Sequence, residues 1–391
     1  MTMWKVCARC RGGTQQRCGV VKGLRSSVPV AWSLTLLIVT LTPASAFAAI
    51  SQSPPPSSVP PPDDFGIDFV TVGAPGNAAY NGPDSIFSFS VKGRGSVPYA
   101  YRISRTEVTM GDWFEFLQAY APFVDPLFAN SSSFTTTRTF QTGFDANGVP
   151  VYQPISPALE GFVANPSWRF AARYVNWLNS GKAITRDAFE SGVYDTSTFG
   201  EFRDDGGNII LTDQMTRSPG AKFWIPTLDE WMKAAHYDPN KFGPGQEGWW
   251  THPGGQDEPL TPGLPGEPGA QSGAGLSPFD VPPEVVAALE EAGLYPDTSA
   301  PWVLLDASGT IPEWIGDTTG GLNARIVAGS PSAGGSFAWP HSDQVNVYGV
   351  SLSTSGGPAF RIATVVPAPS VLTLTLLAVM PSMHRRRRKD S

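Results

Sequence analysis

The chain has 391 residues, of which 41% are hydrophobic and 11% aromatic, with 41 glycines, 38 prolines and 12 tryptophans. This composition excludes a wholly disordered chain and predicts one sizeable core within much irregular structure. The formal net charge is −7 at pH 7, which argues against a nucleic-acid-binding protein because phosphate backbones repel an acidic surface.

The N-terminus has the order of a secretory signal. Residues 1–28 carry six Lys and Arg and no acid, residues 30–41 are mostly apolar, and small residues follow. This order predicts a signal peptide with a long basic n-region at 1–48. The spacing of Cys7 and Cys10 could suggest a metal or redox site, but it falls inside the discarded leader. The third cysteine, at position 18, does too, so the mature protein would contain no cysteine.

Residues 49–64 are predicted to form an extended Pro/Ser-rich spacer. Removal of the leader and of the C-terminal residues Arg385–Ser391, which include Asp390, leaves 16 basic against 33 acidic residues, a net charge of about −17. Such a domain repels nucleic acid and anionic membrane surfaces. It favours cations, and calcium is the candidate outside the cell.

Ordered structure is predicted to begin with three strands, at Phe69–Val72, Ile86–Val91 and Tyr99–Ile103. Thr109 and Asp112 then have the spacing of a helix cap, with an apolar helical face that continues to residue 117. Residues 121–164 are polar and rich in turn residues, and they show no periodicity, so an irregular insertion is expected.

A buried helix is predicted at Trp168–Leu178, with Gly181 beyond its C-terminus. The next helix follows the strand-like residues 223–225. Thr227 and Glu230 form its predicted capping box, and Trp231 lies on its apolar face. A Gly/Pro-rich loop occupies about 251–283, and a short helix is expected at 285–292.

Six segments resemble, in the same order, the signatures of the formylglycine-generating-enzyme family, also called the sulfatase-modifying-factor family. Residues 224–235 are similar to W-L-P-T-E-x-E-W-x-x-A-A. Residues 303–314 are similar to G-L-x-D-M-x-G-N-V-x-E-W, with Thr310 in place of Asn. The other segments lie at 103–117, 171–179, 333–337 and 358–363. The residues that match family positions of structural importance are Glu107, Thr109, Thr227, Glu230, Trp231, Trp314, Gly335 and Arg361.

The resemblance implies an α+β fold for residues 65–365, irregular, loop-rich and C-type-lectin-like. Family members that make formylglycine oxidise a substrate cysteine with copper held by two cysteines between the G-G-S-W and G-F-R segments. Here that interval, 338–357, contains His341 and Asp343 but no cysteine. Cu(I) prefers thiolate ligands, so neither copper nor oxidase activity is expected.

Family members also hold structural calcium near the D-M-x-G-N-V-x-E-W loop, which makes Asp306 and Glu313 candidate calcium ligands. The alternative is that both acids form hydrogen bonds in the turn and the core. A carboxylate pair at Asp229 and Glu230 is explained without chemistry by the capping box. Neither H-E-x-x-H nor G-x-S-x-G occurs, so a zinc protease or serine hydrolase has no local support.

Four residues on or beside the loops where this fold builds its groove are candidates for binding a sugar or peptide. The alternative for the tryptophans is core packing. The candidates are Trp249, Trp250, Trp339 and His341.

Residues 366–391 resemble the bacterial PEP-CTERM sorting signal, which exosortase systems process at the envelope. Val371–Met380 is apolar but too short for a comfortable membrane span, and Arg385–Lys389 would hold the end on the cytoplasmic side. Ala368 replaces the Glu that gives the signal its name. The alternative is a simple hydrophobic tail.

Together these features predict an exported, surface-sorted protein in the cell envelope or outside the cell, attached transiently to the membrane through its tail. Its domain would be a non-catalytic binding or structural module, with an envelope or extracellular polypeptide or glycan as partner. The alternative is an enzyme of this fold, such as an oxidoreductase, that uses a non-cysteine site on an unknown substrate.

Overall fold

The computed structural model describes residues 63–83, 90–136, 138–276, 288–309, 311–318, 325–329 and 357–367, and the backbone of 347–350. They belong to one compact unit within residues 51–391. Among them, no helix has the length and apolar character needed to cross a membrane. The predicted signal peptide, most of the spacer and of the C-terminal signal, and most of the predicted strand at 86–91 lie outside this range, as do residues 285–287 of the helix expected at 285–292. So do Thr310, Gly335, Trp339 and His341.

The main sheet has four antiparallel strands, in the spatial order Phe69–Val72 (β1), Tyr101–Ser104 (β2), Ala363–Val365 (β13) and Phe223–Trp224 (β7). Strands β1 and β2 confirm two of the predicted strands. Strand β13 lies between β2 and β7, with Ala363 opposite both Ile103 and Trp224. The beginning and the end of the folded domain therefore meet in one sheet.

Two long helices cover this sheet with aromatic side chains. The predicted caps and periodicities are confirmed for α1 (Met110–Tyr120) and α3 (Trp168–Asn179). Trp113 of α1 packs against Tyr174 of α3 with 5.7 Å between ring centroids, and the Nε1–H of Trp113 donates to the carbonyl of Phe134. The bonded indole N–H lets this large ring lie fully buried without an unsatisfied donor.

Helix α5 (Leu228–His236) joins the main core to a second one. A second sheet has the order β10–β11–β12, formed by Glu313–Thr318, Arg325–Ala328 and Val347–Val350. Trp231, Met232 and Leu228 of α5 pack in the second core with Ile315 and Ile326. Nearly all of α5 is buried, because sheets or loops cover most of its circumference.

The region 121–164, expected to be irregular, contains a β-hairpin. Strands β3 (Thr139–Phe144) and β4 (Pro150–Pro154) pair antiparallel, and the short helix α2 (Ser132–Thr135) precedes them. The expectation missed the hairpin because its inward face carries polar side chains, Thr139 and Gln141, beside a single buried aromatic, Tyr152.

The remaining elements are short, and loops join them. Helix α4 spans Arg186–Glu190, β5 (Glu201–Arg203) pairs with β6 (Ile209–Leu211), and β8 (Tyr237–Asp238) pairs with β9 (Gly248–Trp249). The described part of the predicted Gly/Pro-rich loop is irregular, with isolated bridges such as that between Pro262 and Ser272. The architecture is thus mixed α/β and loop-rich, with small antiparallel sheets.

Candidate functional site

The first turn of α5 is organised around the buried carboxylate of Glu230. The capping box is present: Thr227 accepts from the backbone N–H of Glu230, and Glu230 accepts from that of Thr227 at 2.8 Å. The same carboxylate accepts from the Nε1–H of Trp224 at 2.9 Å and the hydroxyl of Tyr99 at 2.7 Å, and it pairs with Arg217 at 3.2 Å. Every oxygen of Glu230 therefore has a structural partner.

The carboxylate of the neighbouring residue, Asp229, has different bonding partners. It pairs with Arg94 at 2.8 Å and accepts from the backbone N–H of Gly95. The carboxylate of Asp317 approaches the same guanidinium at 3.6 Å and accepts from the backbone N–H of Leu228. Both acids lie near the positive end of the α5 dipole, where negative charge is stabilised. Asp229 and Glu230 do not act as a pair.

The fully buried guanidinium of Arg361 links strand β10 to residues 104–107 and to Leu305. Its Nε–H donates to both oxygens of Glu313 at 2.9 Å, and its terminal nitrogens donate to the carbonyls of Arg105 and Leu305. Glu107 lies 3.3 Å from the same guanidinium, while the Nε1–H of Trp231 donates to Glu313 at 3.0 Å. Four of the residues named by the resemblance, Glu107, Trp231, Glu313 and Arg361, thus meet in one cluster.

This cluster contains more acid than base. Burial raises the pKa of Glu107 well above its usual range and also raises that of Glu313, while the charge of Arg361 opposes both shifts. Neither oxygen of Glu107 accepts a hydrogen bond from the described residues. A buried carboxyl without donors favours its neutral form. The geometry is therefore that of a structural ion network.

Asp306 lines a pocket that opens beside this network. One oxygen of Asp306 accepts from the backbone N–H of Gly293, and the other, Oδ1, is buried with no partner among the described residues. Burial raises the pKa of Asp306, and the Gly293 bond opposes that shift. The pocket is small, with a cavity volume of about 10 Å³, and its lining includes Leu260, Gln271, Tyr295, Thr298, Leu304 and Ser308.

Gly309, the motif glycine three residues after Asp306, is required at its position for steric reasons. Gly309 has φ +88°, and a Cβ at this position would lie 2.2 Å from Ser272 Oγ and 2.6 Å from the backbone nitrogen of Gly273. Only glycine has both the free conformation and the space for this approach. The loop that carries Asp306 is therefore fixed against the loop that contains Ser272.

The two predicted calcium ligands differ in how well they fit a cation. Asp306 fits, because its Oδ1 is a carboxyl oxygen with no hydrogen-bond partner among the described residues. Glu313 does not, because both of its oxygens accept from Arg361, whose positive charge would repel a divalent cation. This arrangement favours the alternative given above for Glu313, a core hydrogen-bonding role. Calcium at Asp306 stays a prediction.

Of the four predicted groove residues, the structure describes Trp249 and Trp250, which make different contacts. Trp249 packs edge-on against Tyr80 at 5.6 Å between ring centroids, and its Nε1–H donates to the carbonyl of Ala78. Trp250 donates to Asp238 at 3.1 Å, and Lys241 Nζ lies 4.3 Å from its ring centroid. Both rings are partly buried and bonded, which favours packing over an aromatic shelf.

Two buried histidines were not recognised as a pair from the sequence. His236 ends α5 and His252 begins the Gly/Pro-rich loop, and neither side chain is exposed. The Nδ1 of His236 lies 3.3 Å from the carbonyl of Trp250, so Nδ1 carries the proton in that bond. Burial first, and then the nearby His252, lowers the pKa of His236 to about 3. The two residues are sixteen positions apart, one on a helix and the other on a loop. No local sequence spacing therefore indicates that they are neighbours in the fold.

We expect this burial of His236 to make stability depend on pH. The pKa of His236 is about 3 in the folded state, against the ordinary value of 6.5 in the unfolded state. As pH drops below 6.5, the unfolded state therefore binds a proton that the folded state does not, and the stability of the fold decreases. Between pH 7.5 and 5.0 the unfolding free energy should lose about 2 kcal/mol from this group. Urea unfolding at both pH values measures the loss.

The buried carboxyl groups with raised pKa favour the folded state as pH falls, which opposes the effect of His236. The contribution of His236 is therefore measured as the difference between the wild type and a variant that cannot be protonated at this position. The His236→Asn variant keeps an N–H for the Trp250 carbonyl but cannot be protonated. We expect acidification to cost the wild type about 2 kcal/mol more than this variant. Equal losses in the two proteins would refute the assignment.

Within the described ranges, no group of three or more His, Cys, Asp or Glu side chains could hold a metal ion. The acids identified above bond to guanidinium groups, indoles and backbone N–H groups. What the arrangement can do chemically is hold loops in fixed positions and offer the single free oxygen of Asp306 to a small cation or donor.

Comparisons with known proteins leave the family open. No protein-family model matches the chain, and no curated protein sequence matches it. Among solved structures, one titled "Crystal Structure of CarF" is similar over 77% of this chain and 98% of its own length, with 16% sequence identity and a TM-score of 0.39. A likeness of this degree carries no argument about fold or function.

Proposed function

We propose that residues 65–365 form a formylglycine-generating-enzyme-like, C-type-lectin-like domain that has lost its catalytic cysteines and works as a non-catalytic binding module. The observation that carries the proposal is the position of all three cysteines, at 7, 10 and 18. The domain itself contains no thiolate for copper, and a two-sulfur Cu(I) site cannot be replaced by one histidine.

The contacts of the motif residues support a structural role for them. Glu230 and Glu313 each have donors for both oxygens, and Arg361 is fully buried among carboxylates and carbonyls. A residue that serves as a general acid or base must reach a substrate. These residues instead join β2, α5, β10 and β13, which positions the surrounding loops for binding.

Copper loading and turnover test this proposal. The full chain would be incubated with Cu(I) and a cysteine-containing peptide under oxygen, with bound copper measured by elemental mass spectrometry and the peptide by its mass. We expect no copper at one per chain and no oxidised cysteine in the peptide. The variant Cys7→Ser, Cys10→Ser, Cys18→Ser is the control, because it removes any copper bound by leader thiols. Retained copper with oxygen-dependent turnover in that variant would establish the enzyme alternative.

The same elemental analysis tests calcium. If calcium binds at one per chain, Asp306→Asn should abolish it and Glu313→Gln should not, because of these two acids Asp306 alone has an oxygen without a partner among the described residues. Calcium lost equally in both variants would contradict this assignment.

We also propose that the protein is exported and sorted at the envelope by exosortase-type machinery through residues 366–391. Mass spectrometry of the protein purified from its producing cell tests this proposal. A chain that keeps both residues 1–48 and residues 368–391 would contradict it.

A further inference from the structure

The outward face of the β3–β4 hairpin carries three exposed apolar side chains beside Gln153, which is unusual for a two-stranded ribbon at a protein surface. Residues opposite each other in an antiparallel pair lie on the same face, and Phe140 is opposite Gln153. Val151 and Ile155 are the diagonal neighbours of Phe140 on that face, within reach of its ring. The exposed fractions are 44% for Phe140, 38% for Val151 and 59% for Ile155. We call these three residues the hairpin triad.

The inward face already has its packing partners. Tyr152 is buried, its ring lies 5.6 Å from that of Phe134, and its hydroxyl donates to the carbonyl of Ala129. A half-buried ribbon normally carries polar residues on its other face. The hairpin triad is therefore not needed for the described core, and exposed apolar groups of this kind mark interaction sites.

The backbone of β3 offers an open edge beside the triad. In the described part of the chain, the main-chain groups of 140–144 bond to no strand other than β4. On β4, Pro150 and Pro154 remove donors and so protect that edge, but β3 contains no proline. Natural edges are commonly protected by lysine as well, and β3 has none.

The charge of this region selects the partner. Residues 139–168 contain no Lys, Arg or His, and their two carboxylates, Asp145 and Glu160, are exposed. Arg138, just before β3, is buried and paired with Glu290. The backbone N–H groups of Val149 and Asn147 lower the pKa of Asp145, so it stays ionised at neutral pH. A second copy of the chain would bring the same acids to the contact, whereas a basic strand would neutralise them.

We propose that the open edge of β3 and the hairpin triad bind an extended, basic polypeptide segment as an added strand. Main-chain hydrogen bonds to β3 would supply affinity, and alternate side chains of the segment would contact the triad and the acids. This inference rests on the proposed binding function and names its surface and the class of its partner.

The probe for this site is a dye-labelled peptide of about ten residues with alternating Lys and Val, long enough to span β3. Its binding to the full chain is measured by fluorescence anisotropy at low and high salt. The control peptide alternates Glu and Val. The test variant is Phe140→Thr with Ile155→Thr, since threonine keeps strand propensity while removing apolar surface. The matched control is Phe202→Thr, because Phe202 is 53% exposed on the other hairpin, at β5.

We expect the Lys–Val peptide to bind and its affinity to fall at high salt. The Glu–Val peptide should not bind. The Phe140→Thr, Ile155→Thr variant should bind about tenfold more weakly, and Phe202→Thr within about twofold of wild type. Absence of binding, equal binding of both peptides, or equal effects of the variants would overturn the proposal. A dimer in light scattering that the double variant dissolves would assign the face to self-association instead. Copper-dependent turnover would defeat the binding function itself, whichever peptide binds.

Discussion

Replacing Arg361 with methionine is expected to lower the free energy of unfolding by about 3–5 kcal/mol, the largest effect of any single substitution considered. The variant leaves Glu313 and Glu107 buried without a counter-charge, and it removes the donor from the carbonyls of Arg105 and Leu305. Methionine fills most of the vacated volume, so the loss reports mainly on charge. Urea unfolding followed by tryptophan fluorescence measures it.

The matched control is Arg186→Met, which breaks a surface pair. Arg186 pairs with Glu190 at 3.0 Å, but its side chain is 58% exposed, so the loss should be below about 0.5 kcal/mol. The difference between the variants should also depend on pH. Carboxyl groups with raised folded pKa contribute stability at low pH that is lost as pH rises, so Arg361→Met should cost less at pH 5.5 than at pH 8. Similar losses in the two variants would contradict the network.

The second large effect is expected from Glu230→Gln, at about 3 kcal/mol. The glutamine has almost the same shape and can still accept hydrogen bonds, but it leaves the charge of Arg217 unpaired in a site where both side chains are nearly inaccessible. Its amide NH₂ group would also face hydrogen-bond donors. In one orientation these are the backbone N–H of Thr227 and the indole N–H of Trp224, and in the other the donor is the Tyr99 hydroxyl. Unfolding in urea at pH 7.5 gives the value.

Asp112→Asn is the corresponding change in the capping box of α1, and it separates capping from burial. Asp112 accepts from the Thr109 backbone and hydroxyl, as Glu230 does from the Thr227 backbone. It is partly exposed, however, and pairs with no Arg or Lys among the described residues. Loss of a cap costs about 1 kcal/mol or less for such a conservative change. Equal losses at the two positions would show that Glu230 acts as a cap alone.

The helices could be predicted because their signals are local. Thr109 with Asp112, and Thr227 with Glu230, give the caps three residues apart, and the apolar spacing gives the buried faces. The structural use of Glu230 was also predictable, since capping alone explains an acid at that position. What the sequence could not give is its depth of burial, which depends on Tyr99 and Arg217.

The parts that were not predicted depend on distant residues. Arg361 and Glu107 are separated by more than two hundred positions, and only the sheet brings them together. His236 and His252 meet because a loop folds back on α5, and no periodicity records that. The β3–β4 hairpin was missed for a different reason. Its strands lack a clean alternation of apolar and polar residues, because apolar side chains also occupy the outward face.

The central position of β13 has a consequence for how the protein is made. This strand pairs with β2 and β7, and Arg361, just before it, supplies the positive charge of the buried network. A ribosome releases these residues after almost everything they bind. Until then β2 and β7 lack the strand between them, and Glu107 and Glu313 have no guanidinium. The growing chain therefore cannot complete its core until residues 361–365 have left the ribosome.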